Sequence, residues 1–234
     1  MARMVAVTPS YYSVLFKKYT GHTLTHYMDV INMWNDLIIK KERYDTIEDS
    51  RELRALNYSM VTSIRWLVIQ AVTYVESYLY YYYYNVSNDP KLKARLPKFN
   101  RHVQGTDIVE RVIFDFHPDI KHDGAFFLAY KKYMTILKLR DRFVHTSAFP
   151  NLADNLSELH PLLNLSLKTT AEHLTSCFNF VNKVEDALPK DERLLFWKDR
   201  FDEPDFSSLE TSVRENAECR KTGTSGVEQG KSWR

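Results

Sequence analysis

The chain has 234 residues, 44% of them hydrophobic, which is enough for one sizeable core and excludes two full domains of ordinary size. With 32 Lys and Arg against 30 Asp and Glu, the net charge of +2 excludes a protein that coats nucleic acid by bulk electrostatics, so any polyanion must be met by a local patch. The only two cysteines, Cys177 among apolar residues and Cys219 in a polar stretch, exclude a disulfide framework and a zinc site and fit a reducing cytoplasm.

Six glycines and repeated helical periods predict an all-α protein. The opening MARMVAVTPS has too short an apolar run for a signal peptide. Tyr11, Tyr12, Leu15 and Phe16 can pack on the body, and a first helix is predicted over His22 to Lys41 with Leu24, Met28, Ile31 and Ile38 on one face. Residues 1–48 read as an N-terminal extension.

Asp49 and Glu52 have the spacing of a capping box, opening a long helix through Leu53, Met60, Ile64, Val68, Val72, Val75 and Leu79 to near Tyr84. Its length is about 50 Å at the helical rise. Asn88, Asp89 and Pro90 stop it. The greasiest stretch, Trp66 to Val75, includes Gln70 and is too short to span a bilayer, so a soluble protein without membrane contact is expected.

Lys91 to Gln104 is basic and reads as a surface loop or irregular helix. Asp107 with Glu110 resembles a second capping box, for a short helix closed by Pro118. A helix from about His122 to Ser147 follows, with the stripe Phe126, Tyr130, Met134 and Leu137. After a loop at Ala148 to Asn155, a last long helix carries Leu163, Leu167, Ala171, Leu174, Phe178 and Val181 and ends near Pro189. From residue 203 the apolar content falls, and 203–234 reads as a flexible, disordered polar tail. Long helices joined by short breaks describe a bundle over residues 49–202.

The helix around residue 140 holds the one chemically suggestive cluster, Arg140, Asp141 and His145, in ILKLRDRFVHTS. Extending the stripe from Leu137 to Val144 places Asp141 in the apolar line, with Arg140 and His145 on its shoulders. Burying a carboxylate and a guanidinium costs several kcal/mol unless they pair, so a core helix would not normally place them there, and a polar cleft is expected.

An Arg, a polar residue directly after it, and a His four to six residues beyond the Arg resemble the motif of the HEPN superfamily, all-helical domains of which many are metal-independent endoribonucleases. Asp141 stands where the family commonly has Asn. The resemblance covers about seven residues and their helical setting, and it implies a HEPN-like bundle in which Arg140 and His145 are catalytic and Asp141 orients the imidazole. It also implies a homodimer with the site at its two-fold interface, no metal and no cofactor. The products would be a 2′,3′-cyclic phosphate and a 5′-hydroxyl. A toxin or antiviral-defence role, with an antitoxin or activator as partner, follows by analogy. Glu76 matches the acidic residue many HEPN proteins carry in the helix before the motif; its plainer reading is a solvated Glu or the partner of a nearby Arg. Lys138 and Arg142 beside the motif, with Lys91, Lys93 and Arg95, are the candidate RNA contacts. The alternative is an inactive HEPN-like dimerisation or partner-binding module, with Arg140 and Asp141 as a structural ion pair and His145 a neutral imidazole.

Other signals carry less. His22 and His26 stand one turn apart, but Thr23 occupies the place where a zinc protease has Glu. His117, Asp119, His122 and Asp123 read as capping chemistry rather than a metal site. The run Tyr80 to Tyr84 circles a helix, so it reads as packing and not as a platform for stacked bases.

Overall fold

The computed structural model describes residues 23–99, 102–144, 166–190, 192–195 and 204–206, with the helix path alone at 142–144. Every regular element among the described residues is helical. Four long helices dominate: α1 (Thr23–Thr46), α2 (Ser50–Asn88), α3 (Gly124–Val144) and α4 (Leu167–Ala187). None is long and apolar enough to cross a membrane. The predicted first helix thus runs five residues past Lys41, and the long helix four past Tyr84.

The caps explain the boundaries of α2. The Asp49 carboxylate accepts from the amides of Arg51 and Glu52 at 2.6 and 3.1 Å, satisfying two of the four amides a helix start leaves open. Glu52 meanwhile pairs with Arg43 of α1. At the far end Asp89 caps a one-turn helix, Pro90–Lys93, through the amides of Lys91 and Leu92. The 39 residues of α2 make a rod of about 58 Å at about 1.5 Å per residue.

Between α2 and α3 lies a helical run whose start differs from expectation. Gln104 is its N-cap, and Asp107 sits three residues in, where its carboxylate accepts from the Gln104 amide at 2.9 Å. The Asp107 and Glu110 spacing is therefore not the capping box. A stretch of π-helix, Ile108–Ile113, widens the run, and the Phe114 amide reaches back five residues to the Val109 carbonyl. His117 and Pro118 then break it into a 3₁₀ turn, Pro118–His122.

Two aromatic clusters hold the bundle. In one, Phe178 of α4 lies 5.3 Å from Tyr27 of α1, 4.8 Å from Tyr74 of α2 and 5.1 Å from Phe206. In the other, Phe180 stacks on Tyr133 at 4.9 Å and meets Phe126 and Tyr130 of α3. Burial at about 1.5–3 kcal/mol per large side chain outweighs surface pairs such as Lys41 with Asp45, worth about 1 kcal/mol at most.

Two readings of the chain's ends change. The helix within residues 1–48 buries Tyr27, Val30, Trp34 and Leu37 in the common core, so it is a structural member of the bundle rather than an appendage. Phe206, inside the segment read as tail, is buried against Trp34 and Phe178. Tyr11, Tyr12, Leu15, Phe16, the loop at Ala148 to Asn155, Leu163 and tail residues 203 and 207–234 lie outside the described residues.

Candidate functional site

The motif helix presents a different face from the expected one. Phe126, Ala129, Tyr133 and Ile136 are buried, and the line they define continues to Arg140. Arg140, not Asp141, therefore falls in the apolar stripe: its side chain is 18% exposed and that of Asp141 49%. The packing of Tyr133 against Phe180 sets this phase.

Glu76 of α2 resolves the cost of burying Arg140. Its carboxylate accepts from Arg140 Nη2 at 2.7 Å, and its side chain is only 26% exposed. Asp141 approaches Arg140 Nε at 2.9 Å, but Nε is buried without an in-line acceptor, so this contact is an ion pair rather than an aligned hydrogen bond. Desolvation works against the guanidinium's charge most strongly; Glu76, then Asp141, outweigh it and hold the pKa above its ordinary value. The ion pairs with Glu76 and Asp141 are what let Arg140 sit here.

Around the pair the surroundings are polar but tight. Tyr133 lies seven residues before Arg140, within about 20° of the same helix face. Its hydroxyl is buried and makes no hydrogen bond. Gly105 packs closely alongside: a Cβ there would stand 3.9 Å from both Glu76 Cγ and the Tyr133 hydroxyl, and only 3.3 Å from Leu79 Cδ1. Burial first, then the Glu76 charge, drives the Tyr133 pKa well up. Tyr80, whose hydroxyl donates to the Val103 carbonyl at 2.8 Å, is pushed up for the same two reasons.

The remaining candidates are not gathered here. His145 and the Arg142 side chain lie outside the described residues. Lys138 is exposed and points about 200° away from Arg140 around α3. Lys91, Lys93 and Arg95 are exposed beyond the far end of α2, about 20 Å along the rod from Glu76. Arg95 lies over the Phe116 ring at 4.4 Å and Arg111 over Phe99 at 4.5 Å, so two cations of that region are spent on local packing. A groove of about 600 Å³ between α3 and α4 is lined by Lys132, Thr135, Ile136, Ala171, Glu172 and Ser176 among others, with Ile136 one turn before Arg140. Nine residues at about 100° each set Asp141 half a turn from Lys132.

Among the described residues no group of three His, Cys, Asp or Glu could hold a metal ion. His117 meets Tyr82 at 3.0 Å and Glu192 at 3.5 Å, and Asp123 caps the Ala125 amide at 2.8 Å. His26 contacts Gln70 at 2.7 Å. The tyrosine run divides by face: Tyr82 is buried, Tyr83 lies edge-on to Phe99, and Tyr84 is exposed.

One buried carboxylate escaped the sequence reading. Glu185 of α4 accepts from the Tyr78 hydroxyl at 2.8 Å and from the amides of Leu194 and Leu195 at 2.9 and 3.2 Å. It pins the chain after α4 to the core. Its sequence signal was present but weak, a Glu one residue after Val184 in an apolar line.

No protein-family model, curated protein or solved structure matches the chain.

Proposed function

We propose that the protein is a HEPN-like, metal-independent endoribonuclease whose site is built on Arg140 and His145 and completed by a second copy of the chain across a two-fold axis. The observation that carries the reading is the half-buried Arg140 guanidinium, set in the core-facing line of α3 and held by Glu76 from the preceding long helix. A guanidinium has five donors in a rigid fork that suits a phosphate. Glu76 engages Nη2 and Asp141 approaches Nε, so neither contact uses Nη1.

In this mechanism His145 transfers the proton of the ribose 2′-hydroxyl or of the leaving 5′-oxygen, a role worth about 10²–10⁴ in rate. Arg140 stabilises the charge that builds on the phosphate. The 2′-oxygen attacks, the P–O5′ bond breaks, and a 2′,3′-cyclic phosphate and a 5′-hydroxyl remain. DNA, lacking the 2′-hydroxyl, is not cut by this route. The cytoplasmic setting, the toxin or defence role and an antitoxin or activator partner belong to this proposal by analogy.

A second reading has its own support. Arg140 is tied by two acids at once, as expected of a structural ion pair in an inactive dimerisation or partner-binding module. The assay that separates the two incubates RNA in EDTA with the wild type, Arg140→Ala and His145→Ala, each checked for helicity by circular dichroism. Cleavage by the wild type alone supports the enzyme; equal cleavage by all three, or none by any, supports the scaffold. A requirement for added magnesium overturns the mechanism, and light scattering that finds active protein monomeric overturns the two-fold site.

A further inference from the structure

Among the described residues, the Tyr133 hydroxyl is a polar group beside Arg140 and Glu76 that the packing leaves idle. It is buried, has no hydrogen-bond partner among the described residues, and lies beside Gly105, whose Cβ position is equally near Glu76. Leaving a buried hydroxyl unpaired costs stability that a phenylalanine would not lose. Its cost at rest is explained if the hydroxyl is used in another state of the same site.

The geometry points to a hand-over: when a phosphodiester draws the Arg140 guanidinium away, the Glu76 carboxylate turns toward Tyr133 and accepts a hydrogen bond from its hydroxyl. The inference rests on the reading of Arg140 as a phosphate-binding cation. At rest, Glu76 balances Arg140 and restrains it, since an incoming phosphate must first break the 2.7 Å contact. Once Arg140 has left, a carboxylate whose side chain is 26% exposed would stand without a partner. Tyr133 supplies the donor, and the phenol keeps its proton because burial and the nearby carboxylate both oppose its ionisation. Gly105 lets the backbone lie close to both groups: a Cβ there would stand 3.9 Å from Glu76 Cγ and from the Tyr133 hydroxyl. Glu76 is thus a restraint on the site and Tyr133 a positioning residue that acts through Glu76.

The test is a binding experiment with a single-stranded 2′-O-methyl oligoribonucleotide, which lacks the attacking hydroxyl and cannot be cut. Arg140→Ala should weaken binding and Glu76→Gln should tighten it, because the restraint loses its charge. Tyr133→Phe should weaken binding by about tenfold, the order expected for a hydrogen bond to a charged acceptor. In the Glu76→Gln background the same Tyr133→Phe change should have little effect, because a neutral amide needs no such donor. The wild-type chain labelled with 3-fluorotyrosine provides a readout free of folding artefacts: the fluorine resonance lost in Tyr133→Phe should shift when the oligonucleotide is added.

Glu76→Gln that binds no tighter, a Tyr133→Phe effect of equal size in both backgrounds, Arg140→Ala that binds like the wild type, or an unmoved resonance each overturns the hand-over. The nuclease reading is judged separately by cleavage. A protein that cuts RNA but lacks this binding pattern loses only the hand-over; one that shows the pattern and cuts nothing loses only the nuclease.

Discussion

The pairing of Arg140 with Glu76 can be measured by a double-mutant cycle with Glu76→Gln, Arg140→Met and the double variant. The relevant contact is 2.7 Å between Nη2 and Oε1, with side chains 18% and 26% exposed. Two unit charges about 4 Å apart attract by about 4 kcal/mol at an effective dielectric of about 20. Desolvation of both groups offsets much of this, and Asp141 retains some hold on the guanidinium, so a net coupling of about 1–3 kcal/mol is expected. Arg140→Met alone should cost the most, since it leaves Glu76 without its cation. The double variant should recover much of that loss, because Met suits a line already made of Tyr133 and Ile136. Urea unfolding of the four proteins gives the coupling, and repeating it in high salt tests screening. A coupling below about 0.5 kcal/mol, the scale of an exposed pair, would refute the argument that burial of Arg140 depends on Glu76.

Two further outcomes follow from buried polar groups. Glu185→Ala leaves the Tyr78 hydroxyl and two amides without their acceptor, and at about 1–3 kcal/mol for each unsatisfied group it should destabilise more than Tyr78→Phe, which removes one donor from a carboxylate that keeps two; calorimetric melting points in the reverse order would contradict this. Burial is the main cause that lowers the His117 pKa below 6.5, with Arg95 also lowering it and Glu192 opposing. The unfolded chain then takes the proton first, so this contribution to stability is complete above about pH 6.5 and is lost as the pH falls toward the folded pKa. His117→Gln should flatten the fall in melting temperature between pH 7.5 and 5.5, and an unchanged slope would show that His117 is not its source.

The sequence was most informative where structure is set locally. The start of α2 at Asp49 and its stop at Asp89 were legible because a carboxylate two or three residues from the amides it caps needs no tertiary partner. The all-helical class was legible from period alone. The phase of α3 was not. Phe126, Tyr130 and Leu137 fit a stripe ending at Asp141 as well as one ending at Arg140, and Tyr133 and Met134 are both apolar enough to face inward. The choice is made by Phe180 and Phe126 across the core, residues far apart in the chain.

The candidate site divides the same way. Arg140, Asp141 and Glu76 were each legible as residues, but the joining of Arg140 to Glu76 across 64 positions depends on how α3 lies against α2. Two other features were hidden for related reasons. The Gln104 cap was masked by a better-looking acid pair, and Tyr133 read as core because nothing in a sequence marks a hydroxyl that lacks a partner.

The wide turn at Ile108–Ile113 works as a phase adjuster. Upstream, the run must show α2 a residue as small as Gly105; downstream, it must bring Phe114 to within 5.9 Å of Phe126 on α3. A regular helix of the same residues would satisfy only one of these neighbours. Regular α-helical geometry over the same residues would swing everything beyond by about 100°, turning Ile113 and Phe114 away from the core and carrying Phe116 away from Arg95. The irregularity is what lets one short segment serve two partners that ask for different registers.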